Sequence, residues 1–178
     1  MALRKASSYS KKKARPFTRN SRSKGKAYIK TIPFAKIAKF NGGNQKDYEQ
    51  GKHKFVVRLI SEENVQIRDN ALEAARMFVI KMLDEGALGQ YYLLVRVHPH
   101  HMLRENKTAA GAGADRLSKG MTQAFGVAIG RSAIVSAGDS IAEISCANDK
   151  AVKVARAAMA MAKAKVPSRT QVVFEKLN

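Results

Sequence analysis

The 178-residue chain has no tryptophan, a single cysteine, four prolines and, before Asp47, no acidic residue. Each scarcity excludes something. With no tryptophan and only 7% aromatic residues, the chain does not read as a single-strand binder built on stacking platforms, which line one face with aromatics. Cys146 has no partner for an internal disulfide, fits a reducing compartment, and reads as a small buried apolar side chain. No apolar stretch approaches the roughly 20 residues of a membrane span. The first thirty residues hold no apolar run of the kind a signal peptide needs. They are rich in Arg, Lys and Ser, as organelle transit peptides are, but lack an apolar face at helical spacing.

What is present is positive charge, unevenly placed. Residues 1–46 carry 14 Lys and Arg, and the remainder carries 19 against 14 acids, for a formal net charge of +19. The basic residues of the first thirty include Arg4, Lys5, Lys11, Lys12, Lys13, Arg15, Arg19, Arg22, Lys24 and Lys26. Such a segment repels itself and has little apolar surface to bury, so it does not fold cheaply alone. A polyanion relieves the repulsion, and nucleic acid is the partner this composition points to. Tyr9, Phe17 and Tyr28 are interleaved with the charge and can stack on or wedge against bases. The opposing reading is a solvated solubility tail.

The rest suits one ordinary domain; a chain of roughly 150 residues buries about 70% of its unfolded surface. Residues 1–30, with Pro16 and Gly25, read as an extended arm, and 31–178 as a single domain. Within the domain, 32–40 reads as a short strand, with a turn at Gly42 and Gly43. Phe55–Ile60 is a β-branched strand. Leu72, Ala75, Val79, Met82 and Leu83 lie on one helical face, with Arg68, Glu73, Arg76 and Lys81 mostly on others, and Gly86 is placed to end that helix. Tyr91–Val97 is a second strand. Residues 98–126 have no stable period and read as a long internal loop, uncommon in a compact domain unless functional. Strands follow at Ala133–Ser136 and Ile141–Cys146. A second helix capped by Asn148 carries the apolar stripe Val152, Ala155, Met159, Ala162 and Val166, with Lys150, Lys153, Arg156 and Lys163 opposite. Pro167 stops it, and Thr170–Phe174 is the last strand. The strand–helix–strand pattern occurs twice, which suggests two similar units sharing one sheet: an α+β fold with a mixed or antiparallel sheet and two packed helices. Two Ala-rich helices would also look alike by composition alone.

No catalytic constellation stands out. There is no Gly-x-Ser-x-Gly elbow and no Gly-Lys-Ser/Thr phosphate loop; Gly111-Ala112-Gly113 lacks a third glycine and follows no strand. His98, His100 and His101 could meet on a turn around one ion, but no second cluster of ligands supports them, and contact with phosphate or ribose suits them better. The pairs Glu62-Glu63 and Asp84-Glu85 read as solvated helix ends. The sequence thus proposes no catalytic residue, metal site or cofactor.

The segment RVHPHHMLRENKTAAGAGADRLSKGMTQAFG, residues 96–126, resembles the archaeal and eukaryotic large-subunit ribosomal protein family ten-e, counterpart of bacterial large-subunit protein sixteen. RPFTR at 15–19, IPFAKIAKF at 32–40, IRDNALEAAR at 67–76 and KVPSR at 165–169 extend the likeness over essentially the whole chain. The resemblance implies an α/β hammerhead that binds large-subunit rRNA beside the site where aminoacyl-tRNA is accommodated, among neighbouring large-subunit ribosomal proteins. It implies a non-enzymatic role in translation and assembly on cytoplasmic ribosomes, without a membrane. It further implies that the arm threads into rRNA, and that the loop reaches towards the peptidyl transferase centre. His98, His101, Arg104, Lys107, Arg116 and Lys119 are then its contact residues. The chain departs from the family in having Thr122 after Gly-Met, Val127 after Ala-Phe-Gly, and His100 where Phe is frequent; the first two remove expected phosphate contacts where the loop returns. The rival readings are an RNA-acting enzyme using the loop histidines, and a DNA-compacting protein.

Overall fold

The computed structural model describes residues 5–11, 16–18, 29, 31–106 and 126–177. In chain order the elements are β1 (Asn41–Gly43), α1 (Gln45–Glu49), β2 (Phe55–Ser61), β3 (Val65–Arg68), α2 (Asp69–Ala87), β4 (Tyr91–Val95), β5 (His101–Glu105), β6 (Val127–Val135), β7 (Ser140–Cys146), α3 (Asp149–Ala162), a 3-10 turn (Lys163–Lys165) and β8 (Thr170–Lys176). They form a five-stranded sheet in the order β1-β4-β7-β2-β8 and a three-stranded sheet in the order β3-β6-β5. Every pairing of neighbours is antiparallel.

The topology confirms the doubled unit. β2 and β4 both run antiparallel to β7, so they are parallel to each other, and α2 lies on the connection between them. β7 and β8 are parallel in the same sense, across β2, with α3 on their connection. The two units interleave as a split β-α-β pair. The small sheet is built entirely from insertions into this frame: β3 precedes α2, and β5 and β6 lie between β4 and β7.

One continuous core joins the layers. Val57 and Leu59 of β2, Ile144 of β7, Leu72, Val79 and Leu83 of α2, and Val152, Ala155, Met159 and Ala162 of α3 are all buried in it. Val65, Ile67, Ala133 and Val135 tie the small sheet into the same cluster. The stripe expected on α3 is buried from Val152 to Val166, and Lys150, Lys153, Arg156 and Lys163 are exposed opposite it.

Several expectations need correction. Residues 32–40 form no strand; β1 stands where a turn was expected. Two amides of this segment are taken by side chains instead: Lys36 N–H donates to Asp69 Oδ2 (2.9 Å) and Ala38 N–H to Glu73 Oε2 (3.3 Å). Gly86 does not end α2, which runs on to Ala87, and Gly89 beyond it takes φ +73°. A Cβ at Gly86 would meet Val154 Cγ2 of α3 at 2.9 Å, so this glycine sets the closeness of the two helices. Arg68 and Arg76 are buried, not solvated; Arg76 holds Glu73 by two hydrogen bonds at 2.8 and 2.6 Å. Asn148 precedes α3, but its side chain reaches Gln90 Oε1 (3.3 Å) and makes no capping bond. Glu62 and Glu63 lie between β2 and β3, so that pair marks no helix end, whereas Asp84 and Glu85 are exposed in the last turn of α2, as expected. β3, Val65–Arg68, was not anticipated: it is four residues long, and its Gln66 and Arg68 disguise a strand that is buried throughout.

Candidate nucleic-acid interface

The internal loop is shorter than its sequence suggests. His101 to Glu105 form β5, paired with β6 from Ser132 to Val127 with an irregularity after Leu103. Its base is closed at Gly126, where φ is +110° and a Cβ would collide with the Glu105 carbonyl. The glycine of the Ala-Phe-Gly motif is therefore required by close backbone approach. Lys107, Arg116, Lys119 and Thr122 lie outside the described residues.

The arm meets the body at both edges of the small sheet. Lys11 forms an antiparallel bridge with Val65 of β3, Gln66 N–H donates to Ser10 O (2.9 Å), and the Arg68 guanidinium donates to Lys5 O (2.8 Å). On the other edge, Met102 N–H donates to Phe17 O (3.0 Å) and Phe17 N–H donates to His101 Nδ1 (2.6 Å). These bonds cap the two edges of a short sheet that would otherwise offer unpaired backbone groups. They also anchor a segment that its composition alone reads as having no partner within the chain. Tyr9, 4% exposed, and Ile29, 3% exposed, are buried with it. Tyr9 is therefore not free to stack on a base, and Phe17 is covered by the Arg104 guanidinium, 3.5 Å from its ring centroid.

The candidate residues sort accordingly. Lys5 and Lys11 hold the sheet edge through their backbones and keep their side chains exposed. Arg4, Lys12, Lys13, Arg15, Arg19, Arg22, Lys24 and Lys26 lie outside the described residues. Arg104 belongs to β5, not to a loop; burial lowers the pKa of its guanidinium from the ordinary value, yet an arginine stays charged at neutral pH. The three histidines do not converge. His101 is buried and its Nδ1 accepts from Phe17, His98 is exposed with its ring 5.2 Å from that of Phe40, and His100 Nδ1 lies 3.0 Å from the His98 carbonyl. Among the described residues, no group of three His, Cys, Asp or Glu is arranged to hold a metal, and no helix is long and apolar enough to cross a membrane.

Two basic surfaces remain. One is the small sheet with its strapped arm: Lys5, Lys11 and Arg104, with Lys36 and Lys39 on the neighbouring segment. The other is the outer face of α3. The charge of both was legible, but the docking of the arm was missed. Its signal was Tyr9 and Ile29, large apolar side chains in a polar run, which anchor onto a body as readily as they stack on a base.

Comparison with known proteins places this arrangement. The family profile described as Ribosomal protein L16p/L10e matches residues 12–173. A protein of Staphylothermus marinus named large ribosomal subunit protein uL16 is 41% identical over 178 residues, covering 99% of this chain and 96% of its own length. Proteins of the same name from Archaeoglobus fulgidus and Thermoplasma acidophilum are 39% and 40% identical, covering 91% of this chain and 87% and 93% of their own lengths. With its charge, its topology and a match along nearly its whole length in agreement, the chain belongs to the Ribosomal protein L16p/L10e family.

Proposed function

We propose that this chain is a structural constituent of the large ribosomal subunit that binds large-subunit rRNA through the strapped basic arm and the small sheet beneath it. The observation that carries the reading is the acid-free arm, with 11 Lys and Arg in its 30 residues, anchored at both edges of one sheet. Anchoring shortens the stretch of chain that RNA must order, which lowers the entropy cost of binding. Phosphates supply the counter-charge, and release of condensed counterions supplies much of the affinity. In the same reading the domain sits near the aminoacyl-tRNA site among other large-subunit proteins, and the loop closed at Gly126 is directed towards the peptidyl transferase centre. Lys107, Arg116 and Lys119 would then meet phosphates there. The role is to position RNA; no step of chemistry falls to a side chain. Divergence of the three histidines disfavours the alternative of an RNA-acting enzyme.

Co-sedimentation tests the proposal. The protein should travel with large subunits and be stripped from them by high salt. Binding to large-subunit rRNA should fall linearly in log–log form, by about 0.9 per phosphate neutralised on duplex and about 0.7 on single strands. Equal affinity for rRNA and for duplex DNA at matched salt would favour DNA compaction instead. An RNA cleavage activity lost in a His98→Ala, His101→Ala variant would favour the enzyme.

A further inference from the structure

Phe34 is 94% exposed, while the backbone around it is firmly held. The Pro33 carbonyl accepts from Arg131 Nε of β6 at 2.7 Å. Two residues beyond Phe34, Lys36 N–H donates to Asp69 Oδ2 at the start of α2 at 2.9 Å. The ring is thus presented to solvent from a short segment clamped on both sides, and its solvation is the cost of that placement, since burying a phenylalanine stabilises a fold by about 1.5–3 kcal/mol. The side chains of Lys36 and Lys39, on the same segment, are exposed too.

From this geometry we infer that Phe34 is a single-base stacking site: its ring takes the face of one unpaired nucleotide of RNA, with Lys36 and Lys39 on the flanking phosphates. The inference rests on the RNA-binding role above and adds to it a residue and a ligand class. One ring is not the aromatic platform that the composition excludes; it serves one flipped or bulged base rather than a run of them. The charge decides the occupant. An apolar protein partner gains nothing from two exposed lysines on the segment that carries the ring, whereas a nucleotide offers a π-face and a phosphate together. Preorganisation of the backbone supplies the rest, because a segment already clamped at Pro33 and Lys36 loses little freedom when a base lands on the ring it carries.

The test uses the full-length chain and a uridine-rich RNA nonamer carrying one central 2-aminopurine, whose fluorescence is quenched when an aromatic ring stacks on it. Wild-type protein should quench it. Phe34→Ala should bind about tenfold more weakly with the quench lost, Phe34→Leu should behave the same way, and Phe34→Trp should restore both. The thermal midpoint of Phe34→Ala should match that of the wild type, as an exposed ring requires; a large drop would make the ring structural and overturn the site. Equal binding and equal quenching by wild type and Phe34→Ala overturns the stack and leaves the RNA role standing. Full binding by Phe34→Leu, or loss of subunit incorporation with RNA binding intact, assigns the ring to an apolar protein contact and also overturns it. Wild-type protein that binds no RNA at all removes the broader reading on which the stack depends.

Discussion

At Gly126 the backbone takes φ +110° and passes so close to Glu105 that no Cβ fits. Gly126→Ala should therefore destabilise the protein by about 1–3 kcal/mol, read as a lower denaturant midpoint at unchanged slope, because both the left-handed conformation and the close approach are lost. Cys146 makes the opposite kind of statement. It is fully buried, and burial pushes its thiol up from 9.0 to about 12. The folded protein should resist a thiol-labelling reagent at pH 8 and label at once on unfolding. The same shift fixes a sign in pH. Above about 9 the unfolded thiol ionises while the folded one stays neutral, so its contribution is complete below that pH and is lost as pH rises towards 12. Cys146→Ala should flatten that part of the stability profile. Both residues were visible in the sequence, Gly126 within a motif and Cys146 as a lone thiol. The reason for the glycine was not, since it depends on where Glu105 lies.

The helices show which element properties were legible and which were not. The α3 stripe follows from spacing alone, because a 3.6-residue period puts Val152, Ala155, Met159 and Ala162 on one side whatever they pack against. The role of Gly86 does not follow from spacing. Near a helix end glycine usually signals termination, yet here the helix continues and the missing side chain admits Val154. Gly86→Leu should cost about 1–3 kcal/mol through overpacking, and Val154→Ala in the same chain should return part of it, a coupling that a double-mutant cycle measures. β3 and β5 escaped for a shared reason. Each is short, and each turns polar side chains towards neighbours that only the fold supplies: Gln66 towards Ser132, Arg68 towards Lys5, His101 towards Phe17. Alternation of apolar and polar residues, the usual mark of a half-buried strand, fails where both faces are covered.

At the scale of the molecule, the arm is part of the fold as well as the proposed contact with RNA. Removing residues 1–30 deletes buried Tyr9 and Ile29 and leaves the Gln66 and Met102 amides without their partners. The truncated protein should be less stable by about 2–4 kcal/mol, after the lost burial is offset by chain no longer ordered, and should incorporate poorly into large subunits. Unchanged stability would show that the docked segments contribute nothing in the free protein. The internal loop should behave differently. Because residues 101–105 are a strand, a clean deletion spans 107–125, closed by a short Gly-Ser bridge. That variant should keep its thermal midpoint and its docking to the subunit while impairing translation. Failure to dock would place the binding energy in the loop rather than in the arm and sheet.

Charge, the apolar stripes, the lone thiol and the repeated strand–helix–strand unit were set by the sequence itself, because each depends on composition or on a period that any local backbone obeys. The family likeness, too, rested on motifs read along the chain. Tertiary structure alone decided that the arm closes both edges of the small sheet, that His101 and Arg104 sit on a strand facing Phe17, that the three histidines diverge, and that Phe34 stands clear of the surface. These features arise from contacts between residues as far apart as 98 positions, Pro33 with Arg131 among them. Which distant groups become neighbours is settled by how the layers bury their shared core.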